Sequence, residues 1–103
     1  MSVWMDVIAT RPDMRVWVAQ NKTVPIGVLR VLADDEDWRV RSTVARKRKL
    51  PPELLEVLSR DPSEAVRLGV VWNRKVPEAL LRSLAVGDQS EMVRRVASER
   101  LER

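Results

Sequence analysis

DWRVRSTVARKRKLPPELLEVLS, residues 37–59, carries two short apolar patterns separated by a basic stretch. In its first half Val40 and Val44 are four residues apart, and in its second half Leu54 and Leu58 are four apart. This spacing places apolar side chains on one face of an α-helix. Two prolines precede the second pattern, and a helix tolerates proline in its first turn because the N–H there has no partner within the helix. The stretch therefore predicts two short helices joined by a tight turn.

The same pattern recurs along the chain at a spacing of about 26 residues. At this spacing prolines and apolar residues fall into columns, namely Pro25, Pro51 and Pro77; Leu29, Leu55 and Leu81; Val18, Val44, Val70 and Val96; and Met14, Val40, Val66 and Met92. Columns that are apolar in every unit indicate a shared core. Because one helix pair buries too little surface to be stable alone, we expect the units to stack on one another.

We predict one all-α domain over residues 1–103, a short solenoid of two-helix repeats. Its units are an N-terminal half-unit over 1–12, repeats over 13–36, 37–62 and 63–88, and a C-terminal half-unit over 89–103. Helices are expected near residues 2–9, 13–20, 26–33, 38–47, 52–60, 64–73, 78–86 and 91–101. Asp37, Ser63 and Ser90 are the expected N-caps, since short polar side chains accept hydrogen bonds from the first free N–H groups of a helix.

The unit in residues 37–59 resembles the leucine-rich repeat variant family, a bacterial relative of HEAT-like repeats. The family pattern, roughly VRxxVAxNxxxPxxLLxxLAxD, recurs as MRVWVAQNKTVPIGVLRVLADD, VRSTVARKRKLPPELLEVLSRD and VRLGVVWNRKVPEALLRSLAVGD. The resemblance covers about residues 13–98 and implies a right-handed superhelix in which one helix of each unit is partly 3₁₀. The second unit departs from the pattern at Lys47, where its neighbours carry Asn21 and Asn73. A fold of this kind does not specify a function.

The composition excludes several classes of site. The chain has no cysteine and no histidine, so it lacks disulfides, thiolate and imidazole ligands, and the usual general base at neutral pH. It also has no glycine-rich phosphate loop or other catalytic motif. We therefore predict that it is not an enzyme, that it has no catalytic residues, and that it binds no cofactor and no metal. Its apolar runs are too short to span a bilayer and no signal-peptide pattern is present, so a cytoplasmic location is expected.

Three tryptophans occupy positions that the common core does not need. Trp17 shares its column with Thr43, Gly69 and Arg95, Trp38 shares one with Pro12, Glu64 and Ser90, and Trp72 shares one with Gln20, Arg46 and Ser98. Tryptophan is enriched among the residues that dominate interface energies, so these rings are candidates for a binding face. The alternative is that they fill local gaps or cover the ends of the stack. Trp4 is expected in the core of the N-terminal half-unit.

Two basic columns run along the predicted stack. Lys22, Arg48, Arg74 and Arg100 form one, Arg15, Arg41 and Arg67 form another with Arg94 one position off, and the run RKRK adds Arg46, Lys47 and Lys49 beside the first. A row of cations one helix apart can follow a phosphate backbone. Two alternatives need no ligand. Basic side chains stabilise the C-terminal ends of helices, and the second column can pair with Asp35, Asp61 and Asp88 in the loop of the next unit.

These patterns favour a binding or scaffolding module for an unidentified protein partner, using Trp38, Trp72 and the basic columns. The alternative is a nucleic-acid-binding module that uses the basic columns, which a net charge of +4 from 19 basic and 15 acidic residues permits. A third hypothesis is a homodimer formed through the C-terminal half-unit. No membrane partner is expected.

Overall fold

The computed structural model describes residues 2–102, and every regular element in this range is helical. The eight α-helices of this range are α1 (Ser2–Thr10), α2 (Arg15–Gln20), α3 (Ile26–Leu32), α4 (Trp38–Ala45), α5 (Pro52–Leu58), α6 (Glu64–Trp72), α7 (Glu78–Gly87) and α8 (Glu91–Leu101), and a 3₁₀ turn at Pro12–Met14 leads into α2. Each helix lies within two residues of its predicted bounds, so the all-α prediction is confirmed. No helix in this part of the chain is both long and apolar enough to cross a membrane. The handedness of the stack and its division into units stay predictions.

The helices form two rows. In the even row α2, α4, α6 and α8 pack side by side, while α3, α5 and α7 lie against them as the odd row. α1 closes one end by packing on α2 and on the 3₁₀ turn, and the molecule is elongated, at 41 × 21 × 17 Å. Because each short turn reverses the chain, the turns that follow even helices lie at one edge of the molecule. The turns that follow odd helices lie at the opposite edge.

The core lies between the two rows and consists of the predicted apolar columns. Val18, Val44 and Val70 of the even row are fully buried, and so are Leu29 and Leu55 of the odd row. Truncating a fully buried leucine costs about 2–5 kcal/mol because it removes buried apolar surface and leaves a cavity. The columns therefore fix the distance between the rows, and they leave the outer sides of the helices for other roles.

Prolines begin the helices of the odd row. Pro25, Pro51 and Pro77 are the N-caps of α3, α5 and α7, each in an extended conformation. Proline restricts the residue before it to extended backbone, and this turns the preceding apolar side chain inward. Val24 and Leu50 are accordingly 0% and 3% exposed. The proline column thus sets the turn and adds to the core.

A ladder of partly buried to buried ion pairs joins successive units. The pairs are Arg15 with Asp35 at 3.1 Å, Arg41 with Asp61 at 2.8 Å and Arg67 with Asp88 at 2.9 Å. Arg41, Arg67 and Arg94 also donate to the backbone carbonyls of Asp35, Asp61 and Asp88 at 2.7, 2.8 and 2.6 Å. Each aspartate therefore contacts the arginine of the preceding even helix through its carboxylate and the arginine of the following even helix through its carbonyl. This confirms the predicted pairing of the second basic column with these three aspartates.

The register of α8 differs from the prediction by one residue. Asp35 and Asp61 are 26 residues apart, whereas Asp61 and Asp88 are 27 apart, because the end of α7 contains one additional residue. Val93 and Ala97 are therefore the fully buried residues of α8. The assignment of Met92 and Val96 to the core columns was wrong, since Met92 is 46% exposed and Val96 is only partly buried.

The same shift moves two basic residues between columns. The sequence places Arg94 one position off the arginine column. In the structure it is the fourth member of that column, because it donates to the carbonyl of Asp88. Arg100 lies one position before the place that corresponds to Arg74, so the unbroken column of four is wrong and three members remain.

Two of the three predicted N-caps use their side chains. Asp37 accepts from the N–H of Arg39 at 2.9 Å, and the hydroxyl of Ser90 accepts from the N–H of Val93 at 3.3 Å. Ser63 occupies the N-cap position of α6 without a side-chain capping bond. The Arg39 guanidinium and N–H also hold the pKa of Asp37 below its ordinary value.

Candidate interaction surface

Trp38 and Trp72 lie on the outer side of the even row, where they are 50% and 43% exposed. Trp38 begins α4 and Trp72 ends α6. Arg46, which follows α4, is the residue of the second unit that corresponds to Trp72 in α6. Arg46 and Trp38 line the same groove. From this correspondence we infer that the two indoles lie on the same side of the row. We call the surface formed by Trp38, Trp72, Gln20 and Thr43 the tryptophan face.

A groove of about 500 Å³ runs between α2 and α4 on this face. It is lined by Gln20, Trp38, Arg39, Ser42, Thr43, Arg46 and Lys47. The sequence indicates Trp38, Arg46 and Lys47 as candidates. It places Gln20 and Thr43 only in the columns of Trp72 and Trp17, and it does not indicate Ser42. The groove therefore combines an exposed aromatic ring with hydroxyl, amide and cationic groups.

The exposure of Trp17 has a local explanation. Its ring is 51% exposed but lies 6.5 Å from the ring of Trp4, at an interplanar angle of 34°. In α6 the corresponding residue is Gly69, whose missing Cβ would lie 3.0 Å from Ala45 Cβ of the preceding even helix. α1, rather than an even helix, precedes α2, so an indole fits there. Trp17 thus packs on α1, and Trp4 is partly buried against the core as expected.

Buried Asn73 ties α6 to the turn of the previous unit. Its Nδ2 donates to the carbonyls of Ala45 and Lys47 at 2.7 and 2.8 Å, and its Oδ1 accepts from the N–H of Lys75 at 2.8 Å. Asn21, at the same position in the first unit, accepts from the N–H and hydroxyl of Thr23. The asparagine column is thus structural.

Lys47 takes over this role in the second unit. Its Nζ donates to the carbonyl of Asn21 at 3.0 Å, and the Nζ of Lys49 donates to the carbonyls of Val24 and Lys22. Burial, followed by the charge of Lys49, lowers the pKa of Lys47. These two members of the RKRK run therefore hold adjacent turns together.

The remaining cations of this region project from one edge. Five exposed cations lie in the turns that follow α2, α4 and α6, namely Lys22, Arg46, Arg48, Arg74 and Lys75. None of them pairs with a carboxylate within residues 2–102. We call these five residues the basic edge. Arg100 is half-buried within α8, outside this set. The structure thus brings Lys22, Arg48 and Arg74 together in corresponding turns.

A second groove, of about 860 Å³, lies between α5 and α7. Pro52, Glu56 and Arg60 form one wall, Leu80 and Ser83 form the other, and the buried Arg67–Asp88 pair lies at its end near the acidic turns. The sequence did not indicate this groove. In the described part of the chain, no three carboxylates are grouped so as to hold a metal ion.

Comparison with known proteins agrees with this geometry over one unit. Residues 38–63 match the model of the leucine rich repeat variant family. The match agrees with the resemblance of this one unit, about a quarter of the chain, to that family. This leucine rich repeat variant unit contains α4, the basic turn and α5, and it ends just before α6. No curated protein and no solved structure shows significant similarity to the chain.

Proposed function

We propose that this chain is a non-catalytic module that mediates protein–protein interaction through the tryptophan face. The observation that supports this most strongly is the exposure of Trp38 and Trp72 at positions where other units carry proline, glutamate, glutamine or arginine. The fold therefore tolerates small or polar residues there. Two indoles exposed on one side of a rigid row are typical of the anchor residues of protein interfaces.

The matched unit supports the same class of function. Leucine rich repeat variant units form helical repeats that often serve in protein interaction. The even row forms one side of a molecule that is 41 Å long. A partner that covers Trp38 in the α2–α4 groove can also hydrogen-bond to Gln20 and Thr43. An apolar anchor with a polar rim is the usual composition of such interfaces.

The buried and partly buried charges have a structural role. Arg41 pairs with Asp61, and Arg67 pairs with Asp88. In residues 2–102 no buried polar side-chain atom lacks a hydrogen-bond partner. These groups hold successive units together.

The test is a comparison of tryptophan variants with a matched control. Proteins captured by the wild-type chain would be identified and their affinities measured by isothermal titration calorimetry. Trp38→Ala and Trp72→Ala should each weaken a genuine partner by about 1–4 kcal/mol, roughly 5- to 1000-fold. The control is Val57→Ala with Val86→Ala, which removes exposed apolar surface from the odd row, where these side chains are 60% and 85% exposed. If neither tryptophan variant changes the affinity of any captured partner, the proposal is wrong.

A further inference from the structure

Among the cations from α1 to α7, those that pair with carboxylates lie away from the basic edge. From α1 to α7, the exposed arginines outside the basic edge each contact a carboxylate: Arg11 with Asp13, Arg30 with Glu53, Arg39 with Asp37, Arg60 with Glu56, and Arg82 with Glu78. The five residues of the basic edge have no such contact within residues 2–102. The separation is spatial, since the basic edge consists only of turns that follow even helices.

The fold does not need this concentration of charge. The three turns of this edge hold seven basic and no acidic residues, over residues 20–25, 46–51 and 73–77. Of these seven, only Lys47 and Lys49 donate to neighbouring backbone carbonyls. Cations near the C-terminal ends of the even helices are favourable, but the odd helices begin at the same edge, where cations are unfavourable. The two effects oppose each other, and the five exposed cations also repel one another. A negatively charged ligand would relieve this repulsion.

The arrangement suits a ligand with evenly spaced charges. Lys22, Arg48 and Arg74 occupy the same position in three successive turns, 26 residues apart, and neighbouring helices pack roughly 8–10 Å apart. A phosphodiester backbone carries regular charges whatever its sequence, whereas carboxylates in an acidic peptide are irregularly placed. Three of the five residues are arginines, whose planar guanidinium binds two phosphate oxygens at once. These features favour nucleic acid over an acidic protein.

We propose that the basic edge binds the sugar–phosphate backbone of a nucleic acid, without selecting base sequence. Lys22, Arg48 and Arg74 contact phosphates along one strand, and Arg46 and Lys75 contact phosphates beside them. Contacts to the backbone alone position a protein and carry no sequence information. This function is separate from the protein interaction proposed for the tryptophan face, because it depends on cations and does not require Trp38.

The proposal can be tested by fluorescence anisotropy with labelled single- and double-stranded DNA and RNA of about 20 nucleotides. If five cations each neutralise one phosphate, the association constant should fall about 100- to 500-fold between about 50 and 200 mM salt. The edge variant Arg48→Glu/Arg74→Glu should bind at least about tenfold more weakly at the lower salt, and its salt slope should be smaller by about two.

The matched control is Arg60→Glu/Arg82→Glu, which changes two exposed arginines away from the basic edge. Each Arg→Glu substitution lowers the net charge by two, so both double variants take it from +4 to zero. The control and Trp38→Ala should retain wild-type affinity within about threefold, since surface changes of this kind have small effects. Far-UV circular dichroism would verify that each variant is folded.

Three results would overturn the proposal. They are absence of wild-type binding at the lower salt, equal loss in the edge and control variants, and equally tight, edge-dependent binding of polyglutamate, which would assign the edge to acidic proteins. Because the tryptophan variants are scored separately, failure here leaves the protein-interaction proposal untouched, and the converse also holds.

Discussion

Asp88→Asn removes one charge from the most buried ion pair of the ladder. The side chains of Arg67 and Asp88 are only 6% and 3% exposed. Asp88 Oδ2 accepts from Arg67 Nε at 2.9 Å, while Oδ1 accepts from the N–H of Ser90 at 2.8 Å. An asparagine that keeps the bond to Ser90 turns its NH₂ group toward Arg67. A donor then faces a donor, and the guanidinium stays buried without a counter-charge.

The expected loss follows from this burial. Removing one partner of a buried ion pair costs about 3–5 kcal/mol, a large part of the total stability of about 5–15 kcal/mol that is typical of a domain. The ladder also predicts the order of the stability losses among its three aspartates. Asp61→Asn should cost less, since its pair is 15% and 7% exposed, and Asp35→Asn should cost least, since its pair is 23% and 8% exposed.

The assay is urea unfolding followed by far-UV circular dichroism, with Glu78→Gln as the control. Glu78 pairs with Arg82 at 3.5 Å, with both side chains at least 66% exposed, and losing such a pair costs about 1 kcal/mol or less. Equal losses in Asp88→Asn and Glu78→Gln would show that the ladder does not hold the units together.

Two further predictions concern helix packing and the second unit. Gly69→Ala should destabilise the fold by about 1–3 kcal/mol, because the new Cβ meets Ala45 at 3.0 Å. At Gly87 a new Cβ meets nothing within 4 Å, so Gly87→Ala should be neutral or stabilising by up to about 1 kcal/mol. Thermal melts of both variants would contradict this account if Gly87→Ala were the less stable of the two. Lys47→Asn should stabilise by about 0.5–2 kcal/mol, since it replaces a partly buried ammonium with the side chain that Asn73 uses at the corresponding position; a lower midpoint in urea would refute the interpretation of this column.

The helices could be predicted because local chemistry and packing agree at each of them. A proline that fits only the first turn of a helix, followed by leucines on one face, defines α5 without knowledge of its neighbours. The constant spacing of 26 residues predicts the wrong register for α8 because the end of α7 contains one additional residue. Aligning the chain on Asp61 and Asp88 would have placed Val93 in the core, since these aspartates are fixed by the arginine ladder.

The interaction surface could be predicted only in part. Exposed Trp38 and Trp72 follow from columns that are polar in other units, and the exposure of Arg48 follows in the same way. The inward direction of Lys47 depends on the distance across to the preceding turn, which composition does not contain. The groove between α2 and α4 likewise arises from the way two helices pack.

The most direct test of the central claim is oxidative footprinting of the tryptophans with and without a captured protein partner, read by mass spectrometry. All three rings of the even row are exposed in the free chain, so each should be oxidised. If the tryptophan face is the binding surface, the partner should protect Trp38 and Trp72 and leave Trp17 as reactive as before. Unchanged oxidation of Trp38 and Trp72 in a saturated complex would contradict the claim.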